Sequence, residues 1–146
     1  MRLRLIGLLV AMILVVLPFQ AAYGAMDYAK QVLIESDFSE RDLRGVTFNL
    51  ANLLKANLSG SDLQGASLFG AKLQGAKLNN ANLREATLDS AVFEDTDLSN
   101  AILQDAFAFN THFSNVIIEG ADFTNVPTRQ DEYSYLCSIA SGVNSS

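Results

Sequence analysis

The side chains able to do chemistry are few in this chain and widely spaced. Among 146 residues there are one histidine, one cysteine and sixteen carboxylates, against ten lysines and arginines. A single cysteine excludes an internal disulfide framework and any CxxC redox or zinc site, and a single histidine excludes a multi-histidine metal site. His112 would act as a general base only with a nucleophile held beside it. The pattern around it fixes no such neighbour, so it is expected as a lone surface histidine. Glu94, Asp95 and Asp97 in FEDTDLSN have the density of a calcium loop but lack the glycine and distal glutamate of an EF-hand. They are expected as a solvated face. No glycine-rich phosphate loop occurs, because the glycines recur at intervals of five. The expectation is no catalytic residue, no metal and no cofactor. The net charge of −6 also argues against a nucleic-acid binder working through a basic face.

The elements that would position such groups begin after an apolar start. Arg2 and Arg4 precede an uncharged run from Leu5 to Leu17, then Pro18 and the small residues of QAAYGA. This is the pattern of a secretory signal peptide over residues 1–24, cut before Ala25 with Ala22 and Gly24 as the small side chains. The alternative is an uncleaved anchor, although the apolar run is shorter than the roughly 20 residues a spanning helix needs. Removal of residues 1–24 takes away two basic residues and no acid, leaving eight against sixteen and a net charge of −8. It also explains most of the positive mean hydropathy of +0.18.

From Phe38 onward a large apolar residue stands at every fifth position: Phe38, Leu43, Phe48, Leu53 and so on to Ile118 and Phe123. Of these eighteen centres only Ala108 is small. Two residues before each centre lies a small side chain, usually Ala, with Arg41 the one serious departure. Leu33 fits the register, so QVLIE reads as a less regular first repeat. A period of five would spread these residues around an α-helix and alternate them across a strand. One core survives only if the chain bends once per repeat. The position two after each centre agrees, because eleven of eighteen are Gly or Asn, which tolerate positive φ.

Units such as ANLSG, ASLFG, AKLQG, ANLRE and ADFTN resemble those of the pentapeptide-repeat proteins. The resemblance covers residues 36–125 and implies an all-β solenoid, a right-handed quadrilateral β-helix with four repeats per coil and about 4.5 coils. Residues 25–35 are then an N-terminal lead-in or cap, with Asp27 to Gln31 a brief turn or helix acting as a lid. Residues 126–146 form a C-terminal capping helix and tail. Thr128 followed by Asp131 marks the helix start, the helix covers 129–141, and Tyr133, Leu136, Cys137 and Ala140 form its inward stripe before Gly142 ends it. The opening DYAKQVLIESDFS and the tail YLCSIASGVN are similar to the thylakoid-lumen members of cyanobacteria and chloroplasts. Such relatives carry a second cysteine after the cap. Here Cys137 has no partner in the sequence and is expected as a small buried residue.

Outward apolar residues are the remaining signal. Phe69, Phe107 and Phe109 flank the centres Leu68 and Ala108, with Val92, Ile102 and Ile117 adding to them. Phe107 or Phe109 either swings inward over the small Ala108 or lies under the terminal helix, or else these residues form an exposed interaction patch. The expected function is an exported, non-catalytic scaffold or protein-interaction module, of the thylakoid lumen first and the periplasm second. Its partner is an unknown protein and no nucleic acid, the membrane is met only through the leader before cleavage, and end-to-end homodimers remain open. A second reading follows the acidic quinolone-resistance pentapeptide proteins, which mimic DNA and bind a topoisomerase. The leader disfavours it.

Overall fold

The computed structural model describes residues 26–140. The leader, its cleavage before Ala25 and the stop at Gly142 lie outside the described residues. From Asp27 to Asp122 the backbone climbs in parallel bridges, each joining a residue to the one twenty positions later, as in Asp27↔Thr47, Asn52↔Lys72 and Ile102↔Asp122. Twenty residues are four pentapeptides, so each turn of the coil has four sides. The walls are numbered here in chain order, the first carrying Phe48, the second Leu53, the third Leu58 and the fourth Leu63.

Each side is short. Among the described residues, paired strands of ordinary form occur only at β1 (Val92–Glu94) and β2 (His112–Ser114), which run parallel with Phe93 opposite Phe113. Elsewhere a side holds one bridge residue and a turn. The backbone donors are nonetheless assigned repeat by repeat. The centre N–H of Phe48 donates to Ser67 O one turn on (2.7 Å), and the corner N–H of Leu50 donates to Phe69 O (2.8 Å). Ala51 N–H closes the corner on Phe48 O (3.0 Å), and Asn52 N–H reaches back to Gln31 O (2.8 Å). Corners take positive φ, for example 66° at Gly60 and 60° at Asn80. That explains the Gly and Asn at this position.

Leu33 is a centre, as its register predicts, and the coil begins one repeat earlier still, at Tyr28. Bridges start at Asp27 and Val32, so Tyr28 and Leu33 are centres and residues 26–125 make five turns instead of about 4.5. The lead-in of residues 25–35 and the lid over Asp27–Gln31 are therefore corrected: from Met26 this stretch forms the first two sides. Its small-residue positions hold Met26, Gln31 and Arg41, where later turns carry Ala. Among the described residues no turn lies beneath them, so long side chains fit there. Arg41 places its guanidinium 5.5 Å from the Phe38 ring centroid, and Gln31 Nε2 donates to Asp27 O (3.2 Å). Tyr28, Phe38 and Phe48 pack ring on ring beneath.

The core is four stacked columns, and leucines such as Leu58, Leu78 and Leu98 are fully buried. The Ala row is equally buried, which is why it holds only small side chains, none larger than Val or Thr, in the middle turns. Three polar residues in that row are satisfied: Ser61 donates to Leu58 O, Thr96 to Leu73 O and Thr111 to Leu88 O.

The C-terminal end is covered by α1 (Gln130–Ile139). Its entry residue is Arg129, and no side chain caps it, so the Thr128–Asp131 signal supplies no cap. The inward stripe is Glu132, Tyr135, Leu136 and Ile139, one residue away from the expected Tyr133, Leu136, Cys137 and Ala140. The bare edge of the last turn explains the rotation. Its N–H groups lack a following turn, and Glu132 Oε2 accepts from Phe113 N (3.1 Å). Apolar periodicity alone does not count that carboxylate as inward. Cys137 is consequently exposed, which corrects its reading as a buried residue.

Candidate interaction surface

Every column position is taken up by packing, so function must lie on the outer walls or ends. Phe107 and Phe109 flank Ala108 on the first wall and are 59% and 57% exposed, while Ala108 is fully buried. Neither ring swings into the space left by the small centre, and neither is covered by α1. That alternative is corrected, because Phe107 is a bridge residue held outward by pairing with Thr87. Phe69, 43% exposed, lies on the same wall two turns below Phe109, with Asp89 between them.

Leu50 belongs to this strip and was not anticipated. It is 52% exposed at a corner with φ 57°. Among the described non-glycine corners of positive φ it is the only apolar residue. That conformation costs a branched side chain about 1 kcal/mol or more. Gly70 above it makes room, since a Cβ there would stand 2.7 Å from Leu50 Cδ2. The available signal was a leucine where the pattern calls for Gly or Asn.

The corner after Phe109 departs from the others. Asn110 is absent from the positive-φ corners, and its N–H donates to the Asp89 side chain (2.8 Å). Asp89 thereby ties the two upper turns together beside the rings. Val92, Ile102 and Ile117 are not brought to this surface. Their bridges to Lys72, Asn82 and Asp97 place them on the second, fourth and third walls.

Charge divides along the coil axis. Residues 26–85, the first three turns, hold seven basic and seven acidic residues. Residues 86–125, the last two turns, hold seven acids and no lysine or arginine. Glu94, Asp95 and Asp97 belong to this acidic region; Asp97 accepts from Ser99 N and Oγ, which makes it a turn residue. His112 Nδ1 lies 3.1 Å from Glu132 Oε1, so the histidine tethers the cap. At the other end the Arg44 guanidinium beside Asp42 pulls its carboxyl down to about 2. Thr124 lowers Asp122 in the same way, through its hydroxyl and its N–H.

A family model for pentapeptide repeats matches residues 32–68, 66–105 and 93–126. The chain belongs to the pentapeptide-repeat family. Pentapeptide-repeat proteins are right-handed β-helices and in general structural or interaction modules. The crystal structure of a pentapeptide-repeat protein from the Arabidopsis thaliana thylakoid lumen is 41% identical, with a TM-score of 0.62 over 84% of this chain and 78% of that one. One from Nostoc PCC 7120 is 31% identical, with a TM-score of 0.60 over 66% of this chain and 87% of that one. The chloroplastic thylakoid lumenal 15 kDa protein 1 of Arabidopsis thaliana is 57% identical over 35 residues, 24% of this chain and 16% of that protein's length.

Proposed function

We propose that this pentapeptide-repeat protein is an exported, non-catalytic scaffold or interaction module of the thylakoid lumen. The observation that carries the reading is the filled interior, whose twenty inward positions are all occupied by packed centres. Catalysis needs convergent groups in a cleft, whereas a filled coil presents outer walls and two ends. The compartment is supported by the 41%-identical lumenal relative and by the basic, apolar and small-residue succession of residues 1–24. Its protein-binding surface is the strip of Phe69, Phe107 and Phe109, extended to Leu50.

Fractionation of the native cell with intact-mass measurement tests compartment and processing together. A lumenal protein beginning at Ala25 is expected. A cytosolic protein retaining Met1 would overturn the assignment and would reopen the topoisomerase-binding reading.

A further inference from the structure

Resting on the interaction-module reading, we infer that the first wall docks a cationic protein segment bearing apolar side chains. Two observations set the partner's chemistry. The exposed apolar residues lie along one wall: Leu50 against Gly70, then Phe69, then Phe107 and Phe109 at the last turn. Aromatic rings exposed on a rigid support are what interface anchors look like before they are covered. The upper part of this strip sits in the two turns that hold seven carboxylates and no lysine or arginine; Asp89 stands on the first wall between Phe69 and Phe109, and Glu94 and Asp105 stand on the two walls either side of it.

That charge selects the occupant. A second copy placed on the same surface would oppose two such regions, and like charges facing across an interface are costly. A basic segment gains both from steering towards the acidic turns and from burying its apolar side chains on the rings. The three lower turns are balanced in charge, so attraction is concentrated at the end where Phe107 and Phe109 stand. Asp89 also holds Asn110 N, which keeps the Phe109 corner in its departing conformation and the ring on the wall. The partner therefore combines lysines or arginines with leucine-like side chains, as on one face of a basic amphipathic helix.

The test uses the native protein and variants expressed in the same cell, titrated by fluorescence anisotropy against labelled peptides of equal length. One peptide combines Lys and Leu at helical spacing, one combines Lys and Gly at the same charge, and one combines Glu and Leu in the same pattern. The Lys–Leu peptide is expected to bind at least tenfold more tightly than either other. Replacing Leu50, Phe69, Phe107 and Phe109 by Ser should remove that advantage with the salt dependence kept. Asp89→Asn with Glu94→Gln and Asp105→Asn should flatten the salt dependence. Equal binding of the Lys–Gly peptide, equal binding of the Glu–Leu peptide, or unchanged affinity in the Ser variant overturns the inference. So does sedimentation showing that the Ser variant dissociates a homodimer. Crosslinking in the native compartment separates this inference from the broader reading. A partner captured equally by the Ser variant removes the docking surface and leaves the module reading standing. Failure of the wild type to capture any partner removes both.

Discussion

The clamp between α1 and the last turn yields a quantitative expectation. Glu132 Oε2 accepts from Phe113 N at 3.1 Å, and Oε1 lies 3.1 Å from His112 Nδ1. The two contacts differ in weight because of their surroundings. The Glu132 side chain is 12% exposed and that of His112 is 62% exposed. An exposed polar contact of this kind contributes at most about 1 kcal/mol. A hydrogen bond to a charged group contributes about 1.5–3 kcal/mol, and leaving a shielded N–H without an acceptor adds desolvation. Glu132→Ala should therefore lower amide hydrogen-exchange protection at Phe113 by roughly 10- to 100-fold, at about 1.4 kcal/mol per tenfold. His112→Ala should lower it by less than about fivefold. Because each turn of a solenoid contacts only its neighbours, Leu33 and Leu53 amides should keep their protection in both variants. Unchanged exchange at Phe113 in Glu132→Ala would refute the clamp. Loss spread evenly down to Leu33 would refute its local character.

Three further outcomes are expected. Leu78→Ala, in the middle of the third column and fully buried, should cost about 2–5 kcal/mol and lower Tm by roughly 8–20 °C in a thermal scan; a change under about 2 °C would contradict the packed column. Phe69→Ser with Phe109→Ser should change stability by less than about 1 kcal/mol, since both rings are exposed, and a loss on the scale of Leu78→Ala would show that they support the core. Asp42, held near 2 by Arg44, should stay ionised in acid: its contribution is full above the ordinary carboxylate range and disappears as pH falls towards 2. Its carboxyl carbon followed by NMR should titrate near 2, and Arg44→Ala should move it part of the way back up, because the N–H of residue 44 still donates to Oδ1.

Much of the coil was legible in the residues because its rule is local. A five-residue period, one large centre, one small neighbour and one corner tolerant of positive φ leave the chain little choice but to bend at fixed intervals. The four-sided turn came from the family resemblance, and the bridges at twenty residues agree with it. The side carrying Tyr28 was missed because the small-residue rule does not hold at the first described turn, where Met26, Gln31 and Arg41 stand in the Ala positions. Arg41 looks like a departure in sequence and in space lies over the Phe38 ring. The helix was placed correctly to within a residue or two, but its rotation was not. Periodicity sorts apolar side chains, whereas the deciding contact is a carboxylate satisfying a backbone N–H of the last turn.

The sequence by itself determined the repeat and its interior residues, and with one cysteine and one histidine it excluded an internal disulfide and a multi-histidine site, since those follow from residue type and spacing along the chain. Tertiary structure decided which outward residues share a wall. Phe107 and Phe109 are two apart in the chain, Phe69 forty from Phe109, and Leu50 nineteen from Phe69; only winding four sides to the turn puts them on one wall. The same winding separates Val92, Ile102 and Ile117 onto other walls. It also turns a linear run of 86–125 without lysine or arginine into an acidic end. Neighbourhood across the coil depends on the residues per turn, and a five-residue motif does not contain that number.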